Sequence, residues 1–195
     1  MSFGFENVHH DISYTIDEVV RQREQYILLL AAAGNEGKNS DTEFPASHRD
    51  VFSVHSTDHN GNYSAFDTGL KSEIAILGEN IEGIPSVPLV SGTSFATPIV
   101  AAICALVLDA ARDCASDNHD LSKIDAIGKY RPLCTLKGME KFLSLQPFTP
   151  QSHKGSRCLD PCVFSSYDRE RRLKVLDYVV ELICAMPTER STLPR

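Results

Sequence analysis

The chain has 195 residues, of which 42% are apolar and 8% aromatic, so it can bury a one-domain core and pervasive disorder is excluded. Twenty-six acidic against 19 basic residues give a formal net charge of −7, which argues against nucleic acid or an anionic membrane as the main partner. We see no apolar run of the ~18 residues that a membrane span needs. The N-terminus lacks the basic and apolar regions of a signal peptide, which favours an intracellular location.

The six cysteines are too sparse for a disulfide scaffold in a chain of this length. Cys158 and Cys162 form one close pair without a second, so we predict no zinc site there. Cys104 lies in an apolar run and is expected to pack as a small hydrophobe. Because no acidic cluster has the spacing of calcium ligands either, we expect no metal and no cofactor.

The N-terminal third predicts a helix followed by a buried strand. Residues 15–18 (Thr-Ile-Asp-Glu) have the form of a capping box, and apolar residues follow at helical spacing for about three turns. The continuous apolar run 26–33 is typical of a strand buried on both faces of a parallel sheet. It ends at 34–37 (Gly-Asn-Glu-Gly), and sites are built at this carboxyl edge of such sheets.

The middle of the chain predicts short strands and then one long helix. Strands are expected at 51–54, 63–66 and 74–77, with a turn at Asn60-Gly61. Residues 95–111 form the most apolar helix candidate, which we predict to be central and buried all round. Pro98 would fall in its first turn, where the missing N–H costs little.

After residue 112 the composition becomes polar. Amphipathic helices are predicted at 136–145 and 168–186, the second with Leu173, Leu176, Val180 and Ile183 on one face and a basic face opposite. Residues 147–162 are rich in Pro and Gly and predict a linker. We therefore divide the chain into a domain, 1–146, and an extension, 147–195.

Two polar residues stand where chemistry could be built. Ser94 comes two residues after Gly92 and stands at the start of the apolar helix, so it lies beside unpaired N–H groups and the positive end of the helix dipole. Those donors could stabilise an oxyanion, although Ser94 or Thr93 could simply cap the helix. Asn35 at the strand end could aim its amide into a cleft, or could be an ordinary turn residue.

Three segments together carry a family resemblance. Residues 92–98 (Gly-Thr-Ser-Phe-Ala-Thr-Pro) resemble the nucleophile motif of the subtilisin-like serine proteases, the subtilases. Residues 32–37 (Ala-Ala-Gly-Asn-Glu-Gly) resemble the oxyanion-hole motif of that family, and 1–4 (Met-Ser-Phe-Gly) resemble its substrate-binding strand. Their order and spacing match, and the resemblance is good to about residue 112.

The resemblance implies roles for individual residues. Ser94 would be the nucleophile, and the Asn35 amide with the Ser94 N–H would form the oxyanion hole, supported by Thr93. The residue before the scissile bond would bind between two walls, formed by Ser2, Phe3, Gly4 and by Ala32, Ala33, Gly34. These small residues could equally serve sheet packing. Glu36 could favour a basic substrate residue, although simple exposure also accounts for it.

The catalytic Asp and His of the family do not appear in their usual form. In the family both precede the segment that residues 1–4 resemble, and no histidine here is followed by Gly-Thr. We expect each histidine to be a loop or surface residue: His9, His10, His48, His55, His59, His119 and His153. Residues 67–69 (Asp-Thr-Gly) have the form of the family's catalytic Asp segment but lie in the wrong order, so Asp67 is not expected to be catalytic.

The sequence thus predicts a three-layer α/β fold with a mostly parallel sheet, the C-terminal portion of a subtilase peptidase domain whose N-terminal part is missing. The implied activity is serine endopeptidase action on peptide or protein substrates, absent from the isolated chain for want of a base. The missing N-terminal part of the same domain is a candidate partner. The alternative is a catalytically inactive module that binds a peptide or partner. The 147–195 extension would suit docking to a larger protein, although we favour a solvated helix packed on the domain for residues 168–186.

Overall fold

The computed structural model describes residues 1–24, 26–68, 74–82, 88–116, 128–145 and 166–185. In chain order the helices are α1 (His10–Gln22), α2 (Thr93–Ser116), α3 (Leu136–Leu143) and α4 (Arg169–Ala185), with a 3-10 turn at Arg131–Cys134 before α3. The strands are β1 (Leu30–Ala32), β2 (Phe52–Thr57) and β3 (Ala75–Leu77).

The three strands form one parallel sheet in the order β1-β2-β3. Leu30 is paired with Phe52 across the first ladder, and His55 is paired with Ala75 across the second. The N-terminal segment runs beside β1, since the Ala32 N–H donates to the Met1 carbonyl at 3.0 Å. The expected mostly parallel sheet is confirmed.

Helices cover both faces of this sheet. On one face α1 contributes Ile16 to a small cluster with Ala31, Phe44, Ala46 and Val51. On the other face α2 places Val100 and Val107 in the main core, against side chains of β2 and β3 such as Phe52 and Ile76. The result is the expected three-layer α/β arrangement.

The C-terminal helices extend the main core behind α2. Met139 and Phe142 of α3 and Leu176 and Val179 of α4 are buried in the same cluster as Val100. The amphipathic helix predicted at 168–186 is confirmed as α4, and it packs on the domain. The proposed boundary between 146 and 147 and the linker 147–162 lie outside the described residues.

The capping box predicted at 15–18 is wrong. Helix α1 begins at His10, so Thr15 lies inside it, and its hydroxyl donates to the Asp11 carbonyl at 2.8 Å. Glu18 instead accepts hydrogen bonds from the side chains of Arg21 and Gln22. Thr15 and Glu18 therefore make hydrogen bonds along the surface of α1 and do not cap its N-terminus.

The predicted strands differ in length from the observed ones. The run 26–33 yields only Leu30–Ala32 as a strand, and β2 extends to Thr57, three residues beyond the expected end. Residues 63–66 form no strand: Tyr63 makes one isolated antiparallel bridge to Thr57, and a turn follows. The loop 58–68 thus returns across β2 instead of adding a strand.

Helix α2 is not buried all round as predicted. Leu106 is 63% exposed and Phe95 39% exposed, because only one side of the helix faces the sheet. The helix begins at Thr93, which places Pro98 in the second turn, where it removes the donor for the Ser94 carbonyl.

By length and composition alone, α2 is also apolar enough to cross a membrane. The window Thr93–Asp113 has a mean hydropathy of 1.9, which corrects the expectation that no such run exists. The expectation was based on uninterrupted apolar residues. A mean hydropathy over the window can still be high although the first turns contain hydroxyl side chains and Pro98. A third of this window is buried in the structure, where it forms part of the main core.

Cys104 is buried in the main core at 3% exposure, as predicted. Burial raises the pKa of its thiol to about 12, so it packs as a hydrophobe and is not a nucleophile at neutral pH. The close pair Cys158 and Cys162 lies outside the described residues.

Candidate active site

The carboxamide of Asn35 and the start of α2 meet at the carboxyl edge of the sheet. The Thr93 N–H donates to Asn35 Oδ1 at 3.0 Å, and Thr93 Oγ1 lies 3.2 Å from the same oxygen. Thr93 Oγ1 also accepts the Gly34 N–H at 3.3 Å. Asn35 therefore caps α2 through its oxygen, and the loop after β1 is tied to the helix start across 58 positions of sequence.

The amide nitrogen of Asn35 lies at the other end of the same carboxamide. The residue is exposed, and within the described residues its Nδ2 donors have no protein partner. Two N–H bonds are thus available to a ligand beside the first turn of α2.

Ser94 follows Thr93 directly and is only partly buried. Its hydroxyl donates to the Ser2 carbonyl at 3.2 Å, so the N-terminal segment lies over the same edge. The Ser94 N–H belongs to the first turn of α2, where N–H groups have no intrahelical acceptor. The Ser94 hydroxyl therefore lies at the same helix start that the Asn35 carboxamide caps through Thr93.

Gly92 is favoured at the helix start by its backbone conformation. Its φ of +151° is one that L side chains rarely adopt, although a Cβ there would meet Asn35 Nδ2 and Oδ1 at an ordinary contact distance of 3.6 Å. The glycine before Thr93 thus lets the chain pass the carboxamide and turn into α2.

The two predicted walls lie near each other, with a side chain between them. Residues Phe5 and Phe44 exchange backbone hydrogen bonds of 2.7 and 2.9 Å, which holds the N-terminal segment beside the stretch after β1. Glu43 fills the space between Gly4 and Gly34: a Cβ at Gly34 would lie 2.9 Å from the Glu43 carboxyl group, and one at Gly4 would overlap its Oε2.

The remaining wall residues divide by exposure. Ala32 and Ala33 are 3% and 0% exposed, and their N–H groups donate to the Met1 and Val54 carbonyls, so sheet packing is their first role. Phe3 is 48% exposed and packs edge-on against Phe5 at 5.7 Å. Glu36 is exposed, consistent with its simpler interpretation.

Burial and neighbouring acids raise the pKa of Glu43. Desolvation is the largest cause, followed by the charges of Glu36 and Glu6, while a hydrogen bond from the Asn35 backbone N–H opposes them. Sequence reasoning missed Glu43, because only the folded chain brings it between two glycines that are 30 residues apart in sequence.

Asp67 forms a buried pair with His55 of β2. His55 is 1% and Asp67 3% exposed; the His55 Nδ1 to Asp67 Oδ1 distance is 3.0 Å, and the Ser56 N–H donates to Oδ2 at 3.0 Å. The expectation that every histidine is a loop or surface residue is therefore wrong for His55. Its ring faces the side of β2 away from α2, where the returning loop 58–68 supplies the carboxylate.

The second histidine nitrogen lies near a hydroxyl, since His55 Nε2 is 3.2 Å from Ser53 Oγ. A hydrogen-bonded Ser, His and Asp also make up a catalytic triad, but here the imidazole is buried at 1% exposure and Ser53 is a half-buried residue of β2. Thr68 Oγ1 donates to the Ala33 carbonyl at 2.8 Å, so Asp67 holds the loop to β2 while Thr68 holds it to the residue after β1.

No histidine among the described residues is hydrogen-bonded to Ser94, whose hydroxyl partner is the Ser2 carbonyl. His119 and His153 lie outside the described residues. The part of the chain that is described thus brings together the nucleophile and oxyanion-hole candidates without a base beside them.

One cluster of potential metal ligands lies elsewhere, at Asp17, His48 and Asp50. Arg49 occupies it with ion pairs of 3.0 Å to Asp17 and 3.1 Å to Asp50. His48 Nδ1 accepts the Asp50 N–H at 3.2 Å, which leaves the proton on Nε2, the atom nearest Asp17. This arrangement is an ion-pair network, since a metal would have to displace both the guanidinium and that proton.

An apolar cavity of about 330 Å³ lies between α1 and β1, lined mainly by Met1, Ile12, Ile16, Val19 and Leu29. It contains neither Ser94 nor Asn35 and offers little polar chemistry, so it does not mark the candidate site.

Residues 1–124 match the model of the subtilase family, peptidase S8. This segment is more than half of the chain and contains all three motifs. The chain belongs to the subtilase family.

Curated relatives include proteases of two bacteria. The chain is 42% identical over 94 residues to a thermostable alkaline protease of Halalkalibacterium halodurans, which covers 46% of this chain and 26% of that protein. It is 34% identical over 111 residues to thermitase of Thermoactinomyces vulgaris, covering 53% of this chain and 39% of that protein. The chain thus spans well under half the length of these relatives.

Solved structures show the same fold. The self-cleaved protease domain of PatA matches with a TM-score of 0.54 at 22% identity, covering 92% of this chain and 58% of that one. The patellamide maturation protease PatA matches with a TM-score of 0.51 at 20% identity, covering 93% and 61%. At this identity the likeness supports the subtilisin-like fold alone.

Proposed function

We propose that this chain carries the nucleophile and oxyanion-hole part of a subtilase active site, which hydrolyses peptide bonds when a general base is supplied from outside these 195 residues. Ser94 Oγ attacks the peptide carbonyl, and Asn35 Nδ2 with the Ser94 N–H stabilises the tetrahedral oxyanion. The substrate residue before the scissile bond lies between residues 2–4 and 32–34.

The observation that carries this proposal is the anchoring of Asn35 by the residue next to Ser94. With Oδ1 fixed by the Thr93 N–H at 3.0 Å, the carboxamide cannot rotate freely, and its Nδ2 donors are held beside Gly92 at the start of α2. Fixed donors of this kind contribute about 10²–10³ in kcat in oxyanion holes.

Without a base, the isolated chain should be nearly inert. In subtilisin, loss of the histidine alone costs about 10⁶ in kcat, and the oxyanion hole and binding retain roughly 10³–10⁴ over water. An Asp-x-Gly and a His-Gly-Thr block encoded upstream in the same transcript would supply the base in the full protein.

Covalent labelling by a fluorophosphonate, with and without added imidazole, tests the proposal. We expect negligible labelling of the chain alone, acceleration by imidazole acting as an external base, and no labelling of Ser94→Ala. Asn35→Ala should slow the imidazole-dependent reaction by about 10²-fold.

Two outcomes would contradict this account. Rapid labelling at Ser94 without imidazole would refute the inactivity of the chain, and labelling that persists in Ser94→Ala would refute Ser94 as the nucleophile.

The second candidate is an inactive peptide-binding module. It is favoured by the absence of a histidine bonded to Ser94 in the described part of the chain, and by the exposure of Phe3 and Asn35. Peptide binding that is unchanged in Ser94→Ala, together with no imidazole response, would select this alternative.

A further inference from the structure

We propose that Glu43 determines the specificity of the substrate groove by selecting a cationic side chain, Lys or Arg, for the residue that precedes the scissile bond. This inference rests on the proposed function, because it assigns selectivity to the same groove.

Glu43 occupies the space between the two walls of that groove. Its own backbone is tied to the residue after β1, since the Glu43 N–H donates to the Ala33 carbonyl at 2.9 Å. Its carboxyl group then reaches the gap that Gly4 and Gly34 leave open, where neither position could carry a Cβ without moving it. A substrate side chain that enters between the walls therefore meets this carboxylate.

The charge of Glu43 has no counterion in the structure. Among the residues described, no Lys, Arg or His forms an ion pair with it, whereas Glu36 and Glu6 are near enough to raise its pKa. Within the described part of the chain, the interaction that favours the charged form of Glu43 is the hydrogen bond from the Asn35 backbone N–H. A cation placed between the walls would relieve the repulsion and form a charge-assisted hydrogen bond.

A simpler role for Glu43 is to fill space and accept the Asn35 N–H. Glutamine has the same shape and can accept the same hydrogen bond, but it carries no charge. Glu43→Gln therefore separates the steric role from the electrostatic one, and Glu43→Asp keeps the charge on a shorter side chain.

Fluorescence anisotropy with three labelled peptides tests the proposal on the 195-residue chain. The peptides are identical except for the residue before the scissile bond, which is arginine, its neutral isostere citrulline, or leucine. Ser94→Ala serves as the common background, so that no cleavage disturbs the binding measurement.

We expect the arginine peptide to bind at least about tenfold more tightly than the citrulline peptide, the size expected for one hydrogen bond to a charged partner. Glu43→Gln should reduce this ratio to about one, and Glu43→Asp should restore part of it. The matched control Glu36→Gln also removes one negative charge, but from an exposed residue, and should keep most of the preference.

The outcomes separate the two proposals. If all three peptides bind but the arginine peptide binds no more tightly than the citrulline peptide, Glu43 does not determine specificity. The same conclusion follows if the arginine preference is unchanged in Glu43→Gln. In both cases the groove still binds peptides, so the proposed function is not contradicted. If none of the peptides binds, the groove itself is absent, and the proposed function fails together with this inference.

Discussion

At the scale of single residues, the oxygen and the nitrogen of the Asn35 side-chain amide have different roles. Its oxygen accepts the Thr93 N–H and so satisfies one of the unpaired donors at the start of α2. Because that bond fixes the carboxamide, the amide nitrogen is held beside Gly92, two residues before Ser94. A structural cap and a candidate catalytic donor thus share one side chain.

The capping part of this role predicts a difference between two substitutions. Asn35→Ala removes the acceptor and should lower the free energy of unfolding by about 1 kcal/mol, whereas Asn35→Asp keeps an acceptor at a helix N-terminus and should cost less. Urea denaturation at neutral pH measures both. Equal losses in the two variants would show that the oxygen does not stabilise the helix start.

Glu43 predicts a pH dependence of stability. Its pKa is raised in the folded chain, so the folded state holds this proton longer than the unfolded state, and stability falls as pH rises from about the ordinary value of 4.5 through the raised value. Glu43→Gln should abolish this loss of stability. The melting temperature of the variant should therefore rise relative to that of the native chain as pH increases across this range.

The control for this measurement is Glu18→Gln, which should behave in the opposite sense. Hydrogen bonds from Arg21, the largest cause, and from Gln22 lower the pKa of Glu18, so its contribution is present above the ordinary value and is lost as pH falls. If the melting temperature of Glu43→Gln minus that of the native chain instead decreases as pH rises, the pKa of Glu43 is not raised in the folded chain.

At the scale of elements, the two faces of β2 lie in different environments, one apolar and one polar. Phe52 and Val54 point into the core under α2, while Ser53 and His55 point to the opposite face. Helix α1 contacts a different part of that face, and the loop 58–68 covers His55 with Asp67 instead. The half-buried Ser53 and the buried His55 are therefore hydrogen-bonded, as polar groups inside a protein must be.

This pair predicts a strong destabilisation by Asp67→Ala. The change leaves His55 Nδ1 and the Ser56 N–H without their acceptor in the interior, which should cost about 3 kcal/mol. Chemical denaturation measures the loss. Asp109→Ala, which removes an exposed partner of Arg112, is the matched control and should change stability by less than about 1 kcal/mol.

Similar costs for the Asp67 and Asp109 variants would mean that the buried pair contributes nothing beyond a surface ion pair. Fluorophosphonate labelling of Asp67→Asn in the presence of imidazole adds a second readout. It should follow the folded fraction, since Asp67 is enclosed and braces the loop rather than touching a substrate.

At the scale of the whole molecule, the domain packs around one side of α2. The inner side joins the sheet to α3 and α4, whereas Phe95, Pro98, Ala102 and Leu106 form an exposed apolar stripe on the outer side at spacings of three and four residues. Exposed apolar surface of this kind promotes association.

We therefore expect Leu106→Lys to reduce self-association of the chain while changing the free energy of unfolding by no more than about 0.5 kcal/mol. Sedimentation velocity across a concentration series measures the first, and denaturation the second. Leu176→Ala, at a fully buried position of α4, should instead cost about 2–5 kcal/mol and leave the stripe unchanged. A chain that associates equally with and without Leu106 would exclude the stripe as the cause.

The sequence by itself identified the family, through the resemblance of residues 92–98, 32–37 and 1–4 to subtilase motifs, and that resemblance also associated Asn35 with the segment around Ser94. The three-layer α/β class followed from the alternation of apolar helix and strand patterns together with the same resemblance. Each of these features can be recognised within a single segment of sequence, without knowing how the segments pack against one another.

The tertiary structure alone decided which faces are covered and which distant side chains meet. The sequence could not distinguish a helix buried all round from α2, whose outer side is exposed, because apolar composition does not say what packs against it. The burial of His55 with Asp67 and the position of Glu43 between Gly4 and Gly34 arise from chain crossings, where long-range packing, rather than local preference, sets the neighbours of each group.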